Sequence, residues 1–412
     1  KTSTYIGFIC KAADAGYKVF ILRAEARYDI LDIASRRERA GGKEGHAMFE
    51  LPRYHGPDLT APEFVQAPQV RWEAVSRDGV APEGYHSTSM YPEYFKIGDS
   101  WHLAEESRMD CCTVLRPDGR LDVVELRNLH QGDLVALGRT ENCEDGIYLH
   151  CHGFESDAGQ TGDKFAFRQG RSRETSYARD YDRLIQLLRH EKEHGNIVWV
   201  LGPAFAFDYD ARRAMQGLVE NGYVHGILAG NALATHDLEA ALLHTALGQD
   251  IYTQHSQPGG HYHHLDVLNE VRRSGSIPQF IQNHDISDGI IYSAVKKDVP
   301  FVLTGSIRDD GPLPEVIGDA YQGQNAMRGL VKKATTVICL ATMLHTIATG
   351  NMTPSFRVME DGTVRPVYLY CVDAAEFVVN KLLDRGSLSA TTIVTNVQDF
   401  ITILARGLDV MD

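Results

Sequence analysis

The sequence predicts an α/β protein in which a parallel sheet, covered on both faces by helices, follows a small β-rich domain. Three observations predict it. From about residue 174 onward, unbroken apolar runs alternate with amphipathic helical stretches, the signature of strands buried on both faces. Between about 81 and 150, short apolar runs are separated instead by Gly, Asp and Pro turn signals. The residues just after the later runs are rich in Gly, Asn, Ser, Thr and Asp, as expected where strands of a parallel sheet open into a ligand cleft.

Taken in order, residues 1–80 read as an N-terminal α/β segment and an irregular connection. A helix over 5–15 stops at Gly16, a strand covers 18–22, and a charged helix runs through Arg36-Arg37-Glu38-Arg39 to the Gly41-Gly42 pair. Pro52, Pro57, Pro62 and Pro68 then break up the chain, which suits a connection with short strands.

Residues 81–150 read as the small β domain. Tyr94-Phe95-Lys96-Ile97 and Trp101-His102-Leu103 flank Gly98-Asp99-Ser100, a hairpin signal. Cys112-Thr113-Val114-Leu115 and Leu121-Asp122-Val123-Val124 flank Arg116-Pro117-Asp118-Gly119, a second one, and Leu134-Val135-Ala136-Leu137 adds a further strand.

Residues 151–412 carry the parallel sheet. Its strands are read at 197–201, 226–230, 301–304, 337–340, 367–372 and 392–394. A helix with Leu238, Leu242 and Ala246 on one face follows the second. Another, with Val397, Phe400, Ile401 and Leu404 at helical spacing, follows the last.

Composition narrows the partners. The 412 residues carry a net charge of −14, which leaves no basic excess to neutralise a nucleic-acid backbone. Two phosphates of a nucleotide remain possible, since backbone N–H groups at a helix N-terminus hold them. No stretch approaches the roughly 20 apolar residues of a membrane helix. The seven cysteines form no CxxC pair and read as reduced thiols. A cytoplasmic homo-oligomer with no nucleic-acid or membrane partner is the expectation.

The strand ends are the place to look for chemistry: Gly202-Pro203, Gly230-Asn231-Ala232, Gly305-Ser306, Ala341-Thr342-Met343, Asp373 and Thr395-Asn396. Any one of them is also explained by turn formation or helix capping, but six in one sheet point to a nucleotide cleft. Neither GxGxxG after the first strand nor GxxxxGK[ST] occurs, so the usual dinucleotide and P-loop fingerprints are both missing. Asp373 reads either as acceptor for a ribose diol or as a helix cap.

Arg308-Asp309-Asp310 packs a cation and two carboxylates into one turn. Repulsion would raise one carboxyl's pKa and let it shuttle a proton, while Arg308 holds a substrate carboxylate; a local salt bridge with a cap for a helix after Pro314 is the structural alternative. His236 stands near a helix start, either polarising a substrate as a neutral imidazole or merely packing there. Gly259-Gly260-His261-Tyr262-His263-His264 lacks spaced zinc ligands, so no metal is expected. Lys296-Lys297 reads as solvated.

The ordered runs Leu228-Ala229-Gly230-Asn231-Ala232-Leu233-Ala234, His236-Asp237, Gly259-Gly260-His261, Ser287-Asp288-Gly289-Ile290-Ile291-Tyr292, Leu303 through Pro314, Leu340 through His345 and Ala348-Thr349-Gly350-Asn351-Met352 resemble the archaeal and cyanobacterial ornithine cyclodeaminase family of the LOR/SDH-like type. The resemblance spans roughly 81–408. It implies a small β domain ahead of a Rossmann-like NAD domain. It also implies a redox-neutral lyase with a small amino-acid substrate: ornithine or a relative loses ammonia and closes to a cyclic imino acid, proline, while NAD is reduced and regenerated.

Two stretches depart from the family's usual runs, Tyr85-His86-Ser87-Thr88-Ser89-Met90 and Phe207-Asp208-Tyr209-Asp210. Residues 1–50 do not resemble its leading domain. Cys10 through Tyr17 look instead like a segment following a helicase-type P-loop, without the glycine loop that an ATPase needs. A dehydrogenase with net redox turnover, or a nucleotide-binding sensor, would share the same cleft.

Overall fold

The computed structural model describes residues 49–154, 178–309, 311–375 and 388–411. The elements expected before residue 49, and Asp310, lie outside the described residues.

The β-rich region is built from short antiparallel pairs. Strands β1 (Arg71–Ala74), β7 (Leu134–Leu137), β5 (Cys112–Leu115) and β6 (Leu121–Val124) lie side by side in that order. A second sheet places β2 (Glu93–Ile97) between β3 (Ser100–Leu103) and β8 (Ile147–Leu149). Both expected hairpins form, with Tyr94 opposite Leu103 and Cys112 opposite Val124. The region begins earlier than residue 81, because β1 pairs with β7. It also borrows from later sequence: β16 (Phe356–Val358) and β17 (Val364–Pro366) form a hairpin that pairs with β4 (Glu106–Ser107).

The large sheet has seven parallel strands in the order β14 (Val316–Ile317), β13 (Phe301–Thr304), β10 (Gly226–Gly230), β9 (Ile197–Leu201), β15 (Thr336–Leu340), β18 (Tyr368–Asp373) and β19 (Ala390–Val394). Leaving aside the short edge strand β14, this is the 3-2-1-4-5-6 order of the dinucleotide-binding Rossmann fold. The unbroken apolar runs have the expected cause. Ile197, Trp199 and Leu201 enter the larger core, while Val198 and Val200 enter the core on the opposite face. Each such side chain taken out of water contributes about 1.5–3 kcal/mol.

Helices cover both faces. The larger core packs under α2 (Ala178–His194), α3 (Tyr209–Glu220), α4 (Asn231–Leu243) and α10 (Val397–Gly407), joined by α5 (Gly260–Ser274), α6 (Ile277–Asn283) and α7 (Ile290–Lys296). Met327 and Val331 of α8 (Ala320–Val331) and Met352 of α9 (Met343–Met352) cover the other face.

Ion pairs tie the β region to α8: Arg108 reaches Glu125 at 2.7 Å, and Arg328 pairs with the same carboxylate. The remaining short helix, α1 (Pro62–Gln66), supplies backbone carbonyls to buried Lys96. Among the described residues no helix is long and apolar enough to cross a membrane.

Two expected details differ. The helix after Gly230 ends at Leu243, because His244 turns into the left-handed region (φ +56°), and Ala246 enters a small β pair formed by β11 (Thr245–Ala246) and β12 (Gln249–Asp250). No helix follows Pro314 directly; that stretch adds β14 to the sheet edge, and α8 starts only after Asp319, whose carboxylate caps it.

Candidate functional site

Strand order reverses between β9 and β15. Strands β10, β13 and β14 build outward on one side, β18 and β19 on the other. The loops leaving the carboxyl ends of β9 and β15 therefore diverge and open a crevice, the usual ligand position in an open α/β sheet. At its floor Gly202 N–H donates to Leu340 O at 2.9 Å. A Cβ on Gly202 would lie 2.0 Å from Ala341 O, so only glycine fits. Ala341 itself has φ +52°, an uncommon conformation for a residue with a side chain and one that collects at ligand sites. Pro203 then opens a single 3₁₀ turn.

Two helices flank the crevice with N-termini that lack a side-chain cap. α4 starts after Gly230, which has no side chain to offer. α9 starts after Thr342, whose hydroxyl faces His345 Nδ1 at 3.2 Å rather than the first-turn N–H groups. By contrast α3, α8 and α10 are capped by the side chains of Asp208, Asp319 and Asn396. Uncapped first-turn N–H groups carry partial positive charge and hold anions well. Asn396 is thereby committed to Gln398 and Asp399, so the Thr395-Asn396 end is chiefly a capping turn.

His345, to which no local motif gives a role, occupies the middle. Its Nε2 lies 2.7 Å from Thr304 Oγ1 at the end of β13, and a Cβ on Gly230 would approach its Cε1 to 3.0 Å. Burial holds its pKa below the ordinary imidazole value, although the Asp309 carboxylate pulls the other way. Met343, the first residue of α9, is half exposed.

The loop after β13 is fixed at both ends. Asn231 accepts from Leu313 N–H at 2.9 Å and donates to Gly311 O at 3.3 Å, so it holds the loop, next to Ala232 in the first turn of α4. Gly305 N–H donates to Ile317 O at 2.8 Å. Within the loop Asp309 accepts from Ser306 N–H at 2.8 Å, and Ser306 Oγ accepts from Arg308 N–H at 3.2 Å. Asp309 thus shapes its own turn and caps no helix after Pro314. Arg308 is exposed. Asp373 ends β18, the strand beside β15, and accepts from Ala375 N–H at 2.8 Å.

His236 is placed differently from expectation. It sits in the second turn of α4, not at the helix start, and Nδ1 lies 3.0 Å from Glu239 Oε2. Fully buried Glu239 also accepts from Thr245 Oγ1 and from the N–H groups of Leu247 and Gly248, each at 2.9 Å. These hydrogen bonds keep its pKa low against desolvation. His263 Nδ1 meets Thr245 Oγ1 at 2.8 Å. Asp237 pairs with buried Arg212 at 2.7 Å and accepts from Ile290 and Ile291 at the start of α7. These groups brace the scaffold.

A separate hollow of about 450 Å³ beside α8 is lined by Arg127, His130, Arg328 and Lys332, but its arginines and lysine are already paired, Arg127 and Arg328 with Glu125 and Lys332 with Glu106.

Fold and crevice together define a dinucleotide-binding α/β protein. Comparison with known proteins makes this specific. Residues 183–404 match the family model described as "Arginine dihydrolase ArgZ-like, C-terminal, Rossmann fold". An ornithine cyclodeaminase of Methanopyrus kandleri is 38% identical over 346 residues, covering 84% of this chain and 79% of that protein. The crystal structure of a conserved LOR/SDH protein from Methanococcus maripaludis superposes with a TM-score of 0.74 at 34% identity, covering 83% of this chain and 98% of that one. The ternary complex of AgrE with ornithine and NAD⁺ aligns at TM-score 0.53 and 32% identity, covering 85% of this chain and 47% of that longer one. This chain belongs to the ornithine cyclodeaminase family of the ArgZ-like type.

Proposed function

We propose that this chain is an NAD-dependent lyase that converts ornithine, or a close relative, to a cyclic imino acid with loss of ammonia. The observation that carries the reading is the crevice itself: two uncapped helix N-termini flank the switch point of a sheet in dinucleotide-binding order, in a chain of this family.

The residues present fit the cofactor. Gly202-Pro203 and Ala341-Thr342-Met343 form the floor and one wall, and Gly230-Asn231-Ala232 forms the opposite wall. Gly305 and Ser306 lie at one rim; Asp373 and Thr395 lie beyond β15 at the other. NAD⁺, when bound, supplies a hydride acceptor for the substrate's α-carbon and afterwards a donor.

The chain's own residues do the rest. Arg308, on the exposed loop, offers a fork of N–H donors for the substrate carboxylate. Asp309 accepts or returns the proton that the substrate amine exchanges as ammonia departs, and Asp310, its neighbour in sequence, shares that task. Asn231 fixes the loop that carries Arg308 and Asp309. Asp373 accepts a hydrogen bond from the adenosine ribose.

Calorimetric titration checks the cofactor assignment: NAD⁺ is expected to saturate a single site per chain and NADP⁺ to bind more weakly. Absence of heat with either nucleotide would remove it.

A further inference from the structure

We propose that His345 is a positioning residue of this site: its ring joins the Thr304 and Thr342 hydroxyls and sets which one donates and which one accepts toward the bound cofactor. The inference rests on the reading of the crevice as the NAD site.

The geometry is a three-membered chain. Thr304 Oγ1 lies 2.7 Å from His345 Nε2, and Thr342 Oγ1 lies 3.2 Å from Nδ1. The two threonines stand at the carboxyl ends of β13 and β15, and β10, which pairs with β13, ends between them at Gly230. Glycine there leaves room for the ring, because a Cβ would press on Cε1 at 3.0 Å. Both threonines are only half-buried.

A neutral imidazole has one N–H and one lone pair. One hydroxyl must therefore accept from the ring and turn its own hydrogen outward. The other must give its hydrogen to the ring and turn lone pairs outward. The ring thus converts two identical hydroxyls into an unlike pair. Burial favours the neutral ring over the opposing pull of the Asp309 carboxylate, and neutrality is what the unlike pair requires; a charged ring would make both hydroxyls outward donors. The same engagement diverts Thr342 from capping α9, leaving that helix N-terminus open.

The test uses His345→Phe, which keeps a ring but no hydrogen bond, and His345→Gln, which keeps one donor and one acceptor without charge. Thr304→Val and Thr342→Val remove only the hydroxyls. For each, NAD⁺ affinity is measured by calorimetry and kcat and KM are measured with ornithine, alongside a thermal melt. His345→Phe is expected to weaken NAD⁺ binding about tenfold and to lower kcat by about 10²-fold through misplacement. His345→Gln should recover most of both. Each valine variant should show the Phe phenotype with a melt like the parent's.

Parent-like NAD⁺ affinity and kcat in the valine variants would overturn the proposal, as would a glutamine variant no better than phenylalanine. If His345→Phe does not fold, the valine pair carries the decision. A parent protein that binds no NAD⁺ would overturn both this inference and the cofactor reading, whereas NAD⁺ binding in the parent with parent-like valine variants overturns this inference alone.

Discussion

Asp309 and Asp373 illustrate how a carboxylate's local partners limit what it can do. Asp309 spends one oxygen on Ser306 N–H and lies close enough to His345 for its charge to reach the ring. Asp309→Asn keeps the shape and removes the proton acceptor, so turnover should fall by about 10²–10⁴ while NAD⁺ still binds. If the Asn variants at 309 and 310 both keep the parent rate, the acid–base role lies elsewhere. Arg308→Ala should raise KM for the amino acid with a smaller change in kcat, as loss of a carboxylate clamp does. Asp373→Ala should weaken NAD⁺ and narrow its preference over NADP⁺, because a carboxylate repels a 2′-phosphate; nucleotide titrations of the variant measure both.

At this scale the glycine, threonine and aspartate positions were legible because they follow recognisable strands. His345 and Glu239 were not. Their roles depend on Thr304, Gly230, Leu247 and Gly248, partners that only the folded chain brings near. The His345–Thr342 spacing, three residues apart across a helix start, was the one local hint.

Elements tell a similar story. The strands of the large sheet could be read directly because a strand buried on both faces needs an unbroken apolar run, and helix periodicity marked α10. The limits of α4 were harder. Leu238 and Leu242 fit the helical stripe and so does Ala246, yet the left-handed His244 ends the helix first. Short pieces such as β14 carry too few residues to show a period, so Val316–Ile317 looked like the approach to a helix.

The strand ends that make the crevice lend themselves to a test. Gly202→Ala places a Cβ 2.0 Å from Ala341 O, so β9 and β15 must part at the floor of the site. The variant should lose about 1–3 kcal/mol of stability and bind NAD⁺ poorly. A melt and affinity equal to the parent's would mean the floor is softer than the packing indicates.

Across the whole molecule, strand order is what no local pattern displays. Runs at 197–201 and 336–340 are far apart in sequence, but β9 and β15 are neighbours, and their divergence creates the site. The hairpin Phe356–Val358 and Val364–Pro366 is likewise remote from β4, its partner in the β region. Burial also gives the molecule an acid sensitivity. His190, His225 and His345 have pKa values held below the ordinary 6.5. As pH falls through about 6.5 the unfolded chain takes up protons that the folded one refuses, so stability declines. Glu239, with a pKa below the ordinary 4.5, adds stability that is present above that value and lost as pH falls through its folded pKa. Calorimetric melts from pH 8 to 4 should show Tm beginning to fall near pH 6.5, with a further fall below about 4.5. A Tm flat down to pH 5 would show that these histidines protonate freely in the folded state.

Under the proposed function NAD is used catalytically and regenerated within one turnover on an ornithine-like amino acid. This is tested most directly by incubating the protein with ornithine and a small, substoichiometric amount of NAD⁺ while following proline, ammonia and NADH together. Many equivalents of proline and ammonia, equal to each other, are expected for each NAD⁺ supplied, with no build-up of NADH. NADH accumulating in step with product, or ornithine left unchanged with NAD⁺ bound, would contradict it.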